Sequence, residues 1–211
     1  MIGNLIVISS PSGGGKGTLI REVLHSIPDV GYSVSYTTRE PRFGEEDGRE
    51  YHFISKLAFF DMVDNGEFLE YAEVHGNMYG TSKKQIKRVV SEGRDVILEI
   101  DVQGAVSVME QMPEAVTIFI LPPSFEVLRA RLTARNTEDA DDLALRLRNS
   151  FDEVMHYERF EYVIINDELP TAARMLGAVI CAERQRRIRQ TEPVQDILDS
   201  FAQAKHSIAG D

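Results

Sequence analysis

Cysteine is almost absent from this chain: there is one, Cys181, in 211 residues, so no internal disulfide can form. Its setting in the apolar run Ala178-Val179-Ile180-Cys181-Ala182 predicts a buried, inert thiol and points to a reducing compartment. Long apolar runs are also missing. No stretch approaches a membrane span, and the first apolar segment is too short for a signal peptide, so the cytoplasm is the expected location. Positive charge is scarce, with 23 Lys and Arg against 34 Asp and Glu, a net charge of −11. Such a surface repels nucleic acid and anionic membranes, so neither is an expected partner, and any anionic ligand must be held by a local concentration of cations. Internal repeats and low-complexity segments are absent. What is present, 43% hydrophobic and 27% charged residues, suits one globular unit with a sizeable core and room for inserted lobes.

Continuous apolar runs recur at 5–9, 95–100, 116–121 and 161–165, separated by helical patterns at about 17–27, 82–92, 103–111 and 124–134. Runs that do not alternate are what a parallel sheet covered on both faces requires, so the expected class is α/β. Between Ser33 and Thr81 the character changes to short alternating strands, the turn Gly44-Glu45-Glu46-Asp47-Gly48, a short helix near 56–65 and a strand at 67–74. This predicts an inserted lobe. Two polar helices are expected between 124 and 157, with a break at Asn136-Thr137 that caps the second; Leu147, Phe151 and Val154 form that helix's apolar stripe. Val194, Ile197, Leu198, Phe201 and Ile208 predict an amphipathic tail helix that packs on the core or on a second subunit.

The first run leads straight into Pro11-Ser12-Gly13-Gly14-Gly15-Lys16-Gly17-Thr18. A strand, a glycine-rich turn with one lysine and a helix start make a phosphate-binding device. The glycines permit backbone angles that turn several N–H groups onto one anion, the helix adds its positive dipole end, and Lys16 adds a full charge. The match to G-x-x-x-x-G-K-[ST] is imperfect: Ser10 replaces the first Gly, and Gly17 stands where a metal-binding hydroxyl is expected, leaving Thr18 to offer one a residue later. A chance glycine turn is the competing account.

Other groups fall at positions where chemistry is plausible. Alternation puts Glu70 on the face of Phe68, Ala72 and Val74, where a carboxylate wants two donors such as the N1–H and N2–H₂ edge of guanine; an edge strand wet on both faces explains it equally well. Arg39 and Arg42 lie on backbone that Pro41 keeps from being helical, so both forks can grip one phosphate, with Tyr51 and Tyr79 as further donors. Glu99 and Asp101 close a strand at the sheet edge where metal- and substrate-binding acids sit. Asp101-Val102-Gln103-Gly104 also fits D-x-x-G, but no N-K-x-D accompanies it. Asn166 ends the strand at 161–165 as a binding group or a helix cap. Arg131 and Arg135 share a helix face, with Arg146 across the break; these arginines, with Arg129 and Arg148, are expected to face a ligand, or else to pair with Glu138, Asp139, Asp141 and Asp142. The cluster Arg184, Arg186, Arg187 and Arg189 is expected to be a solvated helix face.

Taken together, these residues resemble the guanylate kinase family over about residues 4–189. The motifs, in order, are S-x-P-S-G-x-G-K-G-T-L, S-V-S-Y-T-T-R-x-P-R-x-G-E-x-D-G-x-x-Y-x-F, N-G-E-F-L-E-Y-A-x-V-H-G-N-x-Y-G-T, I-D-V-Q-G and R-L-x-x-R. The resemblance implies a P-loop core with a parallel sheet (1–33, 82–127 and 156–211), a mixed α+β GMP-binding lobe (34–81) and a helical lid (128–155). It implies Mg²⁺-dependent phosphoryl transfer from ATP to GMP or dGMP. Ser35, Glu70, Thr81 and Asp101 would read guanine, and Arg39, Arg42, Tyr51 and Tyr79 would hold the GMP phosphate. Ser12, Gly13, Gly14, Gly15, Lys16, Gly17 and Thr18 would hold ATP, with Asn166 near the adenine. Arg131, Arg135 and Arg146 would close over the moving phosphoryl group, with Thr18 and, through water, Glu99 as the metal contacts. Asn136 departs from the family's usual Gly at the lid hinge, and Glu99 stands where some relatives have Asp.

Two other readings compete. A guanylate-kinase-like module that only binds proteins typically lacks the loop lysine or lid arginines, whereas Lys16, Arg131, Arg135 and Arg146 are all present. A kinase for another nucleotide or a sugar phosphate would not need Ser35, Glu70 and Asp101 together. Oligomeric state is left open.

Overall fold

The computed structural model describes residues 3–74, 76–134 and 140–209. Strand β1 (Leu5–Ser9) is buried along its whole length. Helix α1 (Lys16–Ser26) follows, then β2 (Val30–Tyr32), β3 (Tyr36–Thr37), β4 (His52–Phe53), α2 (Lys56–Asp64), β5 (Phe68–Val74) and β6 (Asn77–Ser82). The chain continues through α3 (Lys83–Ser91), β7 (Asp95–Glu99), α4 (Val102–Gln111), β8 (Val116–Leu121), α5 (Phe125–Thr133), α6 (Ala140–Met155), β9 (Tyr162–Ile165), α7 (Leu169–Arg184) and α8 (Thr191–Ala209). Short 3₁₀ turns lie at His156–Arg159 and Arg187–Arg189.

Five strands pair in the order β2-β7-β1-β8-β9, every pair parallel. Alternation along β1 divides the core: Leu5 and Val7 join Ile86 and Val89 of α3 and Val102, Ala105 and Val108 of α4. Ile6 and Ile8 join Leu19, Ile20 and Val23 of α1 and Ala172, Leu176 and Ile180 of α7. The sheet is thus apolar on both faces, which is why its strands read as unbroken runs. All five strands end at one edge, and the ligand-binding edge of an open parallel sheet is this carboxyl edge. A second sheet, β4-β3-β6-β5, is mixed, with β3 parallel to β4 and antiparallel to β6. Side-chain caps start the helices around the site: Ser82 accepts from Gln85 N, Asp101 from Gly104 N and Ser124 from Val127 N.

Several expectations are corrected. Cys181 is exposed. Ala172, Leu176 and Ile180 of α7 turn to the sheet, and a residue about 100° further round the helix turns to solvent. Of the arginines at 184–189, Arg186 and Arg187 are exposed as expected, but Arg184 and Arg189 are not part of a solvated face. Arg184 Nε donates to Asp95 Oδ2 at 2.7 Å and Arg184 Nη2 to the Pro28 carbonyl at 2.9 Å, while Arg189 Nη1 reaches the Gly3 carbonyl at 3.4 Å. These bonds tie the end of α7 to the start of the sheet. Glu70 and Phe68 do not share a face either, because the β5–β6 register shifts between them. Phe68 stacks on Phe59 of α2, with ring centroids 4.5 Å apart, whereas Glu70 points toward α4. The extra residue of a bulge changes the parity that alternation assumes. In α6 the apolar stripe is partial: Phe151 is exposed and stacks on Phe125 of α5 at 5.0 Å. In α8, Val194, Ile197, Leu198 and Phe201 are exposed; the side chain of Ile208 lies outside the described residues, as do Asn136 and Thr137.

Candidate active site

The turn between β1 and α1 is shaped by two left-handed glycines, Gly13 at φ 83° and Gly15 at φ 84°. A side chain at position 15 would place its Cβ 2.4 Å from Asn166 Nδ2, so conformation and space both require glycine there. Gly14 N donates to the Pro11 carbonyl at 2.9 Å, closing the turn. Asn166, at the end of β9, supports it from beneath. Its buried amide donates to the Gly14 carbonyl at 3.0 Å and so braces the loop. Arg131 of α5 joins this brace, with Nη2 donating to the Asn166 carbonyl at 2.8 Å and Nη1 to the Gly14 carbonyl at 3.4 Å. Arg131 therefore stands against the loop. Arg146 of α6 is half-buried, and Arg135 lies outside the described residues.

Lys16 begins α1 with its ammonium at the sheet edge, donating to the Ile100 carbonyl at 3.2 Å and lying 3.8 Å from Glu99 Oε1. A Cβ at position 17 would stand 3.4 Å from the same Glu99 oxygen. Glu99 thus borders the space that a hydroxyl residue would enter in the usual motif. Thr18 is exposed and its hydroxyl accepts from Arg21 Nη2 at 3.3 Å. Ser12 N donates to Glu153 Oε2 of α6 at 2.8 Å, so a carboxylate from the helical segment sits on the loop. A cleft of about 320 Å³ opens beside this contact, bordered by Asp101, Asn149, Glu153 and His156.

The second sheet carries the other group. Glu70 is 7% exposed and lies opposite Thr81, whose hydroxyl donates to Glu70 Oε1 at 2.6 Å. Gly104 lets α4 approach: a Cβ there would be 3.0 Å from Glu70 Oε2 and 3.3 Å from Asp101 Oδ1. Burial is the main cause that pushes the Glu70 carboxyl up to about 7; the Thr81 hydrogen bond opposes the shift and the Asp101 charge adds to it. Ser35 lies half-buried just before β3, with its carbonyl bonded to His52 N at 2.9 Å. The loop after β3 presents Arg39, whose Nη2 donates to both oxygens of Glu45 at 3.0 Å. Its guanidinium carbon sits 5.4 Å from the centre of the Tyr51 ring, and Tyr51 meets Tyr79 edge-on at 5.7 Å. Burial works against the Arg39 charge, yet its bonds to Glu45 and Tyr79 prevail and raise its pKa. Arg42 is exposed, its backbone N–H also donating to Glu45 at 2.8 Å.

The structure therefore brings Lys16, Glu99, Asn166 and Arg131 into one group, and Glu70, Thr81, Asp101, Arg39, Tyr51 and Tyr79 around another. Sequence reasoning missed Glu45, Glu153 and Tyr32. Glu45 left a trace, three residues past Arg42 in an acidic turn. Glu153 left none, being 141 residues from its partner. Among the described residues no group of three or more His, Cys, Asp or Glu is placed to hold a metal. Nor is any described helix long and apolar enough to cross a membrane.

The guanylate kinase family model matches residues 2–183. A guanylate kinase of Aromatoleum aromaticum is 52% identical over 192 residues, covering 91% of this chain and 94% of its own. One of Dechloromonas aromatica is 52% identical over 182 residues, covering 86% and 90%. The crystal structure of guanylate kinase from Anaplasma phagocytophilum superposes with a TM-score of 0.75 at 36% identity, covering 89% of each chain. The parallel sheet, the phosphate loop and the second sheet around Glu70 agree with these likenesses: the chain belongs to the guanylate kinase family.

Proposed function

We propose that the two groups at the sheet edge are the halves of one ATP:GMP phosphotransferase centre. The observation that carries this reading is the buried Glu70, held by Thr81 and facing Asp101. An ionised carboxylate there accepts both donors of the guanine edge, and adenine has no such pair. Ser35, Thr81 and Asp101 complete guanine recognition. Arg39, Arg42, Tyr51 and Tyr79 hold the GMP phosphate, and Glu45 keeps Arg39 oriented until that phosphate arrives.

The loop from Ser12 to Thr18 wraps the ATP phosphates with backbone N–H groups, and Lys16 neutralises charge between β- and γ-phosphates. Asn166 and Arg131 keep the loop in shape. Arg131, Arg135 and Arg146 neutralise the transferring group and exclude water as residues 128–155 close over residues 34–81. The donor set fits magnesium, which usually takes one or two carboxylates together with substrate phosphates and waters. Glu99 would hold it through water, and Thr18 is the poorer donor because its hydroxyl faces Arg21. When bound, the ion would add positive charge beside the ATP phosphates. The chain's own work is alignment: two anions that repel each other are fixed in line by cations built into separate elements. The cytoplasm, where ATP and GMP are available, suits a chain with one exposed thiol.

The non-catalytic alternative is not favoured, since Lys16 and Arg131 are both at the phosphate loop. The test is a nucleotide panel: ATP and Mg²⁺ with GMP, dGMP, AMP, UMP and ribose phosphates, following ADP release. Turnover with GMP and dGMP alone is expected. Equal turnover with AMP or UMP would overturn guanine readout through Glu70.

A further inference from the structure

The carboxyl end of β2 carries a polar group that no motif selects. Tyr32 closes this edge strand with its ring packed against the core face formed with α1 and α7. Its hydroxyl donates to Glu99 Oε2 at 3.1 Å. The other oxygen of Glu99 is the one that lies 3.8 Å from Lys16 Nζ and borders Gly17. The carboxylate is therefore held from two sides, by a neutral phenol and by an ammonium.

The division of labour between the two oxygens has a consequence. The Glu99 side chain is 25% exposed and Lys16 16%, so their attraction is only partly screened. With Oε2 released, the carboxylate is drawn to present both oxygens to Lys16. A lysine in that closer pair is withdrawn from the phosphates, and the carboxylate leaves the space beside Gly17. We propose that Tyr32 is a positioning residue for phosphoryl transfer, holding one oxygen of Glu99 so that the carboxylate serves the metal-bearing phosphates and Lys16 stays available to ATP. This rests on the assignment of Glu99 to the metal end of the ATP site. Tyr32 acts through Glu99 and touches neither substrate.

Tyr32→Phe keeps the ring and its packing and removes one oxygen, so it separates the two roles. The test compares wild type, Tyr32→Phe, Glu99→Gln and the double variant. Four quantities are read: kcat, the Mg²⁺-dependent gain in affinity for a non-hydrolysable ATP analogue by calorimetry, GMP affinity measured without ATP, and melting temperature. Loss of a hydrogen bond to a charged group is expected to lower kcat and the Mg²⁺-dependent gain each by about tenfold. GMP affinity should stay within about twofold, and melting temperature nearly unchanged. On the Glu99→Gln background the same change should add almost nothing, because residues acting as one unit are non-additive. Wild-type kcat and Mg²⁺ response in Tyr32→Phe, with Glu99→Gln impaired, would overturn the role of Tyr32. A parallel loss of GMP affinity and melting temperature would mark a packing role and overturn it too. Wild-type behaviour of Glu99→Gln would instead remove the assignment of Glu99 itself, and the proposal with it.

Discussion

Thr81 donates its hydroxyl to one oxygen of Glu70 at 2.6 Å, while the other oxygen faces the side of α4 left bare by Gly104. One oxygen is thus fixed within the protein and the carboxylate plane is set before any ligand arrives. A preset acceptor recognises a donor pair at little cost in ordering. Glu70→Gln should therefore weaken GMP by about 10- to 100-fold, since an amide donor now opposes a guanine donor, and leave ATP affinity within about twofold. Calorimetric titration with each nucleotide separately checks this, and equal weakening of both would reject guanine readout.

The same residue makes GMP binding depend on pH. Burial holds the folded Glu70 carboxyl up to about 7, above its ordinary value of 4.5. Its pKa is raised by folding, so its contribution to stability is fully present below pH 4.5 and is lost as pH rises through 7. Guanine donors favour the ionised form, so GMP uptake at pH 6 should release close to one proton from Glu70. Calorimetry in buffers of different ionisation enthalpy measures the release, and subtracting the Glu70→Gln result removes the proton of the GMP phosphate. No difference between the two chains would contradict the buried, protonated state.

Lys16 is the one full charge on the phosphate loop itself. Lys16→Met should lower kcat by several orders of magnitude and leave GMP affinity nearly intact, because the two anion sites are built on different sheets. Steady-state rates and GMP titration test this together. Retention of the wild-type rate would remove Lys16 from its assigned role.

Glu153 places a carboxylate on the Ser12 amide at 2.8 Å. That charge sits where ATP brings more negative charge. Glu153→Ala should lower the KM for ATP by about two- to fivefold, the weight of a half-exposed charge interaction, with the KM for GMP unchanged. A rise in the ATP KM would show instead that the contact supports the loop.

Asp95 is buried and accepts from Asn4 N at 2.7 Å, Asn4 Nδ2 at 2.9 Å and Arg184 Nε at 2.7 Å. Arg184→Ala strands that carboxylate without its cation. A loss of about 3 kcal/mol in unfolding free energy is expected, with kcat unchanged because Asp95 opens β7 at the end opposite Glu99. Urea denaturation measures it, and a loss below about 1 kcal/mol would mean that Asn4 alone satisfies Asp95.

The α/β class, the order of the elements and the phosphate loop were legible because each is a local pattern. Leu5–Ser9 is continuous and apolar, and Gly13 to Lys16 carry their angles and charge in adjacent residues. Cys181 reads as buried from its apolar neighbours, and Asn166 as a binding group or a cap, because each stands where a short pattern has two outcomes. The end of β9 puts Asn166 under the loop, and the turn of α7 puts Cys181 outward. Glu70 was read as a candidate on the wrong face, since a bulge leaves no mark in composition.

By itself the sequence determined which chemistry is available: a glycine-lysine phosphate loop, paired arginines, and carboxylates at strand ends. Local backbone preference and side-chain charge are properties of neighbouring residues, so they survive in the linear order. Only the tertiary structure decided which groups work on each other. Tyr32 meets Glu99 across 67 residues, Ser12 meets Glu153 across 141, and Asn166 meets Gly14 across 152. Such contacts exist because separate strands end at one sheet edge, and packing of distant elements, not any spacing within them, brings their ends together.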